Sequence, residues 1–241
     1  MRRRLFLASS LATLGLTGCG VKDALTEGPF TKVLGAAQNW DLAVIGTHGL
    51  AREYPESAIT ADFPLDSLDT PSDPSYVAMQ RQRFAPFRLI VDGLVARPQR
   101  LSLAELRALG TTTQITRHDC VEGWSAIGKW SGVPLATVLA LVQPAQHARN
   151  VVFHCLDRDQ LGNPYYESLD LVQAAHPQTL LATDLNGGPL PADHGAPVRL
   201  KIPIQLGYKS AKWVARIELV AALPGTGGYW EDQGYAWYAG I

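Results

Sequence analysis

Apolar and polar positions along this chain alternate in short runs and turn helical in only a few places. Residues 87–95 (FRLIVDGLV) read as a strand with an Asp92-Gly93 turn or bulge inside it. Ser102 and Glu105 form a capping box. Behind it, Leu103, Leu106 and Leu109 make the apolar stripe of a short helix that Gly110 stops. Residues 114–117 are a short strand. Pro134 opens a buried helix over 135–142 that ends before Pro144. Residues 150–156 (NVVFHCL) are a strand. Segments 168–175 and 178–182 are predicted helical, split by Pro177, and Asn186-Gly187 is a hairpin-type turn. A strand over 195–203, a loop over 207–213 and a strand over 214–221 follow. In the last strand Val214, Arg216, Glu218 and Val220 share one face, and Ala215, Ile217 and Leu219 the other. Strands and helices mix without strict alternation, so the prediction is an α+β fold with mixed β-sheets and short helices.

The first 73 residues are patterned differently. Arg2, Arg3 and Arg4 precede an apolar run over 5–16 that is too short to span a bilayer permanently. Leu16-Thr17-Gly18-Cys19 then closes it, resembling the lipobox of bacterial lipoproteins, in which the cysteine is lipidated. Arg3-Arg4-Leu5-Phe6-Leu7 resembles a twin-arginine export motif, a route for proteins that fold around a cofactor before export. The expected organisation is an export signal over 1–18, a lipidated N-terminus at Cys19 leading an extended wrapping segment over 19–73, and the main domain over 74–241. The expected location is the periplasm, with a lipid anchor in the membrane. Within the wrapping segment, 39–45 reads as a strand or short helix. Trp40 and Phe63 are expected to anchor the segment to the domain.

Composition narrows the class. The chain has 241 residues, 46% hydrophobic and 18% charged, which suits a sizeable globular domain. Its net charge of −1 would become more negative on loss of the three N-terminal arginines, which excludes non-specific nucleic-acid binding. Three cysteines are too few for a disulfide framework.

The densest chemistry lies in residues 117–124 (RHDCVEGW). In an extended segment His118 and Cys120 share one face and Asp119 takes the other. Arg117, His118 and Lys129 are nearby cations in sequence, and cations favour a thiolate. Cys155, in an apolar strand, reads as a buried structural cysteine. Three chemistries remain open. One is a zinc or copper site built from His118, Cys120, His154 and Cys155, which lacks the usual ligand spacing. A second is a Cys–His nucleophile. The third is a soft thiolate ligand to a metal carried by a large anionic cofactor. The glycines and cations of 195–212 favour the third, with Arg199, Lys209, Lys212 and the backbone of 207–211 as anion-binding candidates.

Several ordered blocks carry a family resemblance. They are Arg117-x-x-Cys120-Val121-Glu122-x-Trp124, Trp130-x-Gly132-Val133-Pro134-Leu135, the 176–182 segment HPQTLLA, and Asn186-Gly187-x-Pro189-Leu190-Pro191. The 195–200 segment GAPVRL and Pro203-x-x-x-Gly207-Tyr208-Lys209-Ser210-x-Lys212-Trp213 complete them. From about Asp73 onward the chain resembles the sulfite oxidase-type molybdopterin oxidoreductases. Within them it is most similar to the bacterial periplasmic protein-methionine-sulfoxide reductase catalytic subunits. The resemblance implies that fold and a molybdenum–molybdopterin cofactor, with Cys120 as the molybdenum ligand. It also implies cofactor contacts from Asp73, Tyr76, Cys155, His194, Arg199, Ser210, Ala211 and Lys212, with His194 standing where the reductase branch has Asn. Arg117 and His118 are then candidates for polarising a substrate oxygen, against the plainer reading of ion pairs with Asp119 or Glu122. Tyr165 and Tyr166 either line the mouth of the site or pack on the domain.

The implied reaction is oxygen-atom transfer. One reading is reduction of small-molecule or protein-bound S-oxides, or of N-oxides, with electrons from a membrane haem protein. Another is sulfite dehydrogenation with electrons passed to a cytochrome, and a third is a non-catalytic binding protein of the same fold. Sulfite-oxidising relatives typically add a C-terminal dimerisation domain, for which this chain leaves no room, so a monomeric reductase is the expectation.

Overall fold

The alternation seen in the sequence is realised in ten strands among the described residues: β1 (Leu89–Gly93), β2 (Gln99–Leu101), β3 (Thr112–Asp119), β4 (Ser125–Pro134), β5 (Asn150–Arg158), β6 (Pro164–Asp170), β7 (Leu180–Leu185), β8 (Gly188–Pro189), β9 (Arg199–Lys201) and β10 (Val214–Val220). The computed structural model describes residues 49–66, 70–159 and 161–241, all inside a unit spanning Gln38–Ile241. Trp40, the 39–45 element, the export signal and Cys19 lie outside the described residues.

The strands form two five-stranded sheets. The first has the order β2-β1-β10-β5-β6, with β1 and β10 parallel and the other pairs antiparallel. The second runs β3-β4-β7-β8, with β9 added against β7. Leu89, Val91, Val151, Phe153, Leu169, Ile217 and Leu219 alternate inward from the first sheet to build the main core.

Among the described residues four α-helices fill the connections: α1 (Pro74–Arg81), α2 (Leu103–Ala108), α3 (Leu135–Val142) and α4 (Leu171–Ala174). The predicted capping box is present, with Ser102 and Glu105 each bonding the other's backbone. It starts α2 and seats Leu106 in the core. Helix α3 starts after Pro134 as predicted and buries Leu135, Val138, Leu139 and Val142. Asn186 and Gly187 both take positive φ, 52° and 85°, in the β7–β8 hairpin.

Three predictions are corrected. Segment 168–175 is helical only in its second half, because Ser168 and Leu169 pair with Val152 and Val151 across β5. Asp170 then caps the four-residue α4. Segment 178–182 enters strand β7, which runs between β4 and β9. A strand covered on both faces is apolar without alternation, so its periodicity does not separate it from a buried helix. In β10 a register shift between Val214 and Arg216 turns Val214 inward to join Ile217 and Leu219, against the predicted alternation.

The wrapping segment is stitched onto the second sheet. Tyr54 donates its backbone N–H to Ile115, Thr60 donates to Ile127, and the Asn186 side chain donates to the Thr60 carbonyl. Phe63 is buried at its end, an anchor as predicted. Among the described residues no helix is long and apolar enough to cross a membrane.

Candidate active site

Cys120 ends β3 and opens the tight connection to β4. Its N–H donates to the Trp124 carbonyl, and Gly123, at φ 92°, donates back to the Cys120 carbonyl. The turn therefore holds the thiol at the mouth of a small cavity of about 30 Å³. His118, Val121, Glu122, Tyr165, Tyr208, Ser210, Ala211, Lys212, Trp230 and Asp66 share its wall. The expected alternation holds: His118 and Cys120 face the cavity. Arg117 does not. Its guanidinium is half exposed and bonds Asp119 at 2.9 Å on the other side of the strand. The expectation that Arg117 polarises a substrate oxygen is corrected in favour of this ion pair.

His118 is buried among Phe63, Trp124 and Trp130, with ring centroids 5.6–6.4 Å away. Burial first, then the cations Lys201, Arg199 and Lys212, hold its imidazole neutral, well below the ordinary range. Gly207 explains how the opposite wall comes so close: a Cβ there would lie 2.6 Å from His118 Nε2. The Cys120 thiol is pushed up chiefly by partial burial; the Glu122 backbone N–H opposes this, the charges of Glu122 and Asp66 add to it, and Arg199 opposes. The cations near it in sequence do not set its state, since Arg117 and Lys129 pair outward with Asp119 and Glu56.

Behind the cavity lies a buried cationic group. Arg199 is 3% exposed, donates to the His194 carbonyl at 3.1 Å, and lies over the Trp130 ring at 5.3 Å, while its Nε is buried without a partner. Lys201 is 1% exposed and donates to the Arg117 carbonyl at 3.1 Å, with His118 Nδ1 at 3.5 Å. Burial first, and Arg199 second, lower its ammonium to about 7. Lys212 pairs with Asp66 and donates to the Asp193 carbonyl. Ser210 accepts from the Ile202 N–H, and Ala211 accepts from Leu200, which fixes the turn that carries Lys212.

The other predicted contacts sit nearby in a wider cleft of about 660 Å³, lined by Asp73, Tyr76, Cys155 and Asp157 among others. Asp73 accepts from the Ser75 N–H and caps α1. Tyr76 donates to the Ala196 carbonyl, and burial pushes its phenol up to about 12. The Cys155 thiol is pushed well above its usual range by burial. His194 is turned to Asp193 at 2.8 Å and to the Phe63 carbonyl at 3.1 Å, so its ring secures the wrapping segment.

Lys209 is corrected: it turns away from the cavity and is buried against Glu167 and Glu231, so it is not an anion ligand. Tyr165 joins the cavity wall, its hydroxyl bonded to the Tyr208 carbonyl. Tyr166, one residue on in β6, points away and bonds Asp232.

Sequence reasoning passed over Lys201, Asp157 and Asp66. Lys201 follows Arg199 by two in a short apolar strand, and Asp157 follows Cys155 by two in β5. That same-face spacing is a readable signal for both. Asp157 is 5% exposed with an unpartnered Oδ1, and burial raises its carboxyl to about 7. Lys212 and Asp66 act on it across the junction of cavity and cleft. Asp66 sits in loop sequence that gives no signal.

The arrangement has the character of a cradle. Among the described residues no three His, Cys, Asp or Glu side chains converge to hold a metal, which removes the four-residue zinc or copper site. A metal at Cys120 would draw its other ligands from a bound group. Buried cations, one with an unpartnered N–H, fit an anionic group, since a buried donor left unpaired costs about 1–3 kcal/mol. The fold and this site fit a class: domains that seat an anionic cofactor in a cationic cradle. The chain belongs to the oxidoreductase molybdopterin-binding domain family, which matches residues 76–230.

Its relatives agree. It is 42% identical over 248 residues to a putative protein-methionine-sulfoxide reductase subunit, YedZ1, of Azospira oryzae, covering 99% of this chain and 87% of that one. It is 40% identical over 171 residues to the protein-methionine-sulfoxide reductase catalytic subunit MsrP of Xanthomonas campestris, covering 67% of this chain. The match spans 52% of that relative's length. The crystal structure of the sulfane dehydrogenase SoxCD from Paracoccus pantotrophus superposes with a TM-score of 0.51 at 23% identity, over 57% of this chain and 39% of that one, and shows the shared fold.

Proposed function

We propose that this chain reduces S-oxides of the methionine-sulfoxide kind, or N-oxides, at a molybdenum–molybdopterin cofactor, with electrons from a membrane haem protein. The observation that carries the reading is the Cys120 thiol facing a cavity backed by buried cations, one of which, Arg199, keeps an unpartnered N–H. When bound, the cofactor supplies two-electron exchange of an oxygen atom.

The protein supplies the rest. Cys120 would be the thiolate ligand. Burial opposes the free thiolate, so its ionised form depends on the metal's charge. Arg199, Lys212 and the Ser210–Ala211 backbone would hold the cofactor's anionic part, and Asp157, Asp73, Tyr76 and Cys155 would line the cleft for its remainder. His118, held neutral, offers one N–H toward an oxygen in the cavity without adding charge. Tyr165, Tyr208 and Trp230 shape the wall and shed water from it.

Two further parts of the reading concern the chain's setting. Residues 1–18 act as an export signal, and Cys19 carries the lipid that anchors the protein on the periplasmic side of a membrane. Labelled palmitate should enter the wild type and not Cys19→Ala; equal labelling would refute the anchor.

The central test is metal and pterin content after expression in a molybdenum-competent host. About one molybdenum per chain is expected, lost in Cys120→Ala, with reduction of methionine sulfoxide by reduced viologen falling by at least ~10³-fold. Because Cys120 is unbridged and half-buried at a turn, its melting temperature without cofactor should match that of the wild type. Stoichiometric zinc, or turnover of sulfite and not of sulfoxide, would overturn the proposal.

A further inference from the structure

Lys209, Glu167 and Glu231 are buried together, with side chains at most 1% exposed. The Lys209 ammonium meets one oxygen of each carboxyl. The two remaining oxygens, Glu167 Oε1 and Glu231 Oε2, have no partner. Both press on the same point, the space where Gly228 lacks a side chain. Two carboxylates against one ammonium would leave a buried negative charge without a counter-ion, with two electron-rich oxygens converging. Buried carboxyls so placed are stable when one proton bridges them.

The three residues also interleave with the cavity wall. Tyr165 lies two residues before Glu167 on the same buried face of β6. Tyr208 immediately precedes Lys209, and Trp230 immediately precedes Glu231. Three chain segments that meet only in the folded protein are thus tied behind the wall they each contribute to.

We propose that Glu167 and Glu231 share one proton and, neutralised with Lys209, act as a clamp that positions Tyr165, Tyr208 and Trp230 around the cavity. They are positioning residues, reaching the substrate only through the wall, and this functional part rests on the cavity being the active site. Burial, and then the carboxyl of Glu231, push Glu167 well above the ordinary carboxylate range against the pull of Lys209. The ionisable groups around the clamp are Tyr165 and Tyr166 of β6, Tyr208 of the turn, Cys155 and Asp157 of β5, and Asp232 and Tyr235 of the C-terminal segment. The Tyr208 and Trp237 rings cover the ammonium. None of these brings a second cation.

The proton makes an isosteric test decisive. In loaded protein at neutral pH, infrared difference spectroscopy should show a protonated carboxyl that disappears in Glu167→Gln or Glu231→Gln, because either variant leaves one carboxylate for Lys209. Both should melt within a few degrees of the wild type and keep kcat/KM for sulfoxide within about threefold at neutral pH. Above neutral pH the wild type should lose kcat/KM as the shared proton leaves. In the Gln variants that alkaline limb should move up by about one pH unit or more. Glu167→Gln combined with Glu231→Gln, which strands Lys209, should lose the fold or at least ~10-fold in kcat/KM. Absence of the carboxyl band in wild type, or an unshifted alkaline limb in both single variants, would overturn the proposal. A band present in protein that turns over no sulfoxide would uphold the proton-sharing clamp and refute the reading of the cavity instead.

Discussion

The site turns on how single cations are spent. Arg199 could be read from the sequence because it stands in the cluster of glycines and cations over 195–212 and in a block of the family resemblance. Lys201, two residues on, stands in the same cluster, and its burial is the more costly of the two because its ammonium is brought down to about 7. A lysine depressed in the folded state contributes stability that is present above its ordinary value of 10.5 and lost as pH falls through about 7. Lys201→Met should therefore stabilise cofactor-free protein, by ~2 kcal/mol at neutral pH. Its advantage over the wild type should grow as pH falls from about 10 to 7 and then level off, as urea unfolding at a series of pH values would show. In loaded protein the advantage should vanish, because the anionic cofactor offsets the charge. Lys209 shows the limit of such reading. It stands in the same basic stretch as Lys212, and only the 3-10 turn over Gly207–Lys209 decides that one faces the cavity and the other Glu167 and Glu231.

At the level of elements, the sequence was most legible where punctuation is local. The capping box, the helix after Pro134 and the Asn186-Gly187 turn each depend on a few adjacent residues, and each is present. Strand β7 and the short α4 were misread because their state is set by distant partners, β4, β5 and β9, which a local pattern does not contain. The two kinds of element should respond differently to substitution. Ser102→Ala removes a cap remote from the cavity and should cost ~1 kcal/mol by denaturation with activity unchanged. Gly207→Ala brings a methyl group against buried His118 and should lower kcat/KM by ~10-fold or more and cost about 1–3 kcal/mol of stability.

Across the whole molecule, the wrapping segment was foreseen as surface loop but belongs to the site. Phe63 lies at 5.3–6.2 Å from the rings of His118, Trp124, Trp130 and His194, and Asp66 pairs with Lys212 in the cavity. The family match begins at Tyr76, so neither residue falls within it. Phe63→Ala should cost ~3 kcal/mol in thermal or denaturant unfolding, as for other buried aromatic truncations.

That strap has a kinetic meaning. A cofactor held by Lys212 would touch the strap through Asp66, the partner of that lysine. Its escape would then be coupled to how often residues 60–66 peel away. The off-rate should therefore rise with low urea well before the sheets melt, with a slope far shallower than that of global unfolding. Phe63→Ala should speed it in proportion to the stability it removes.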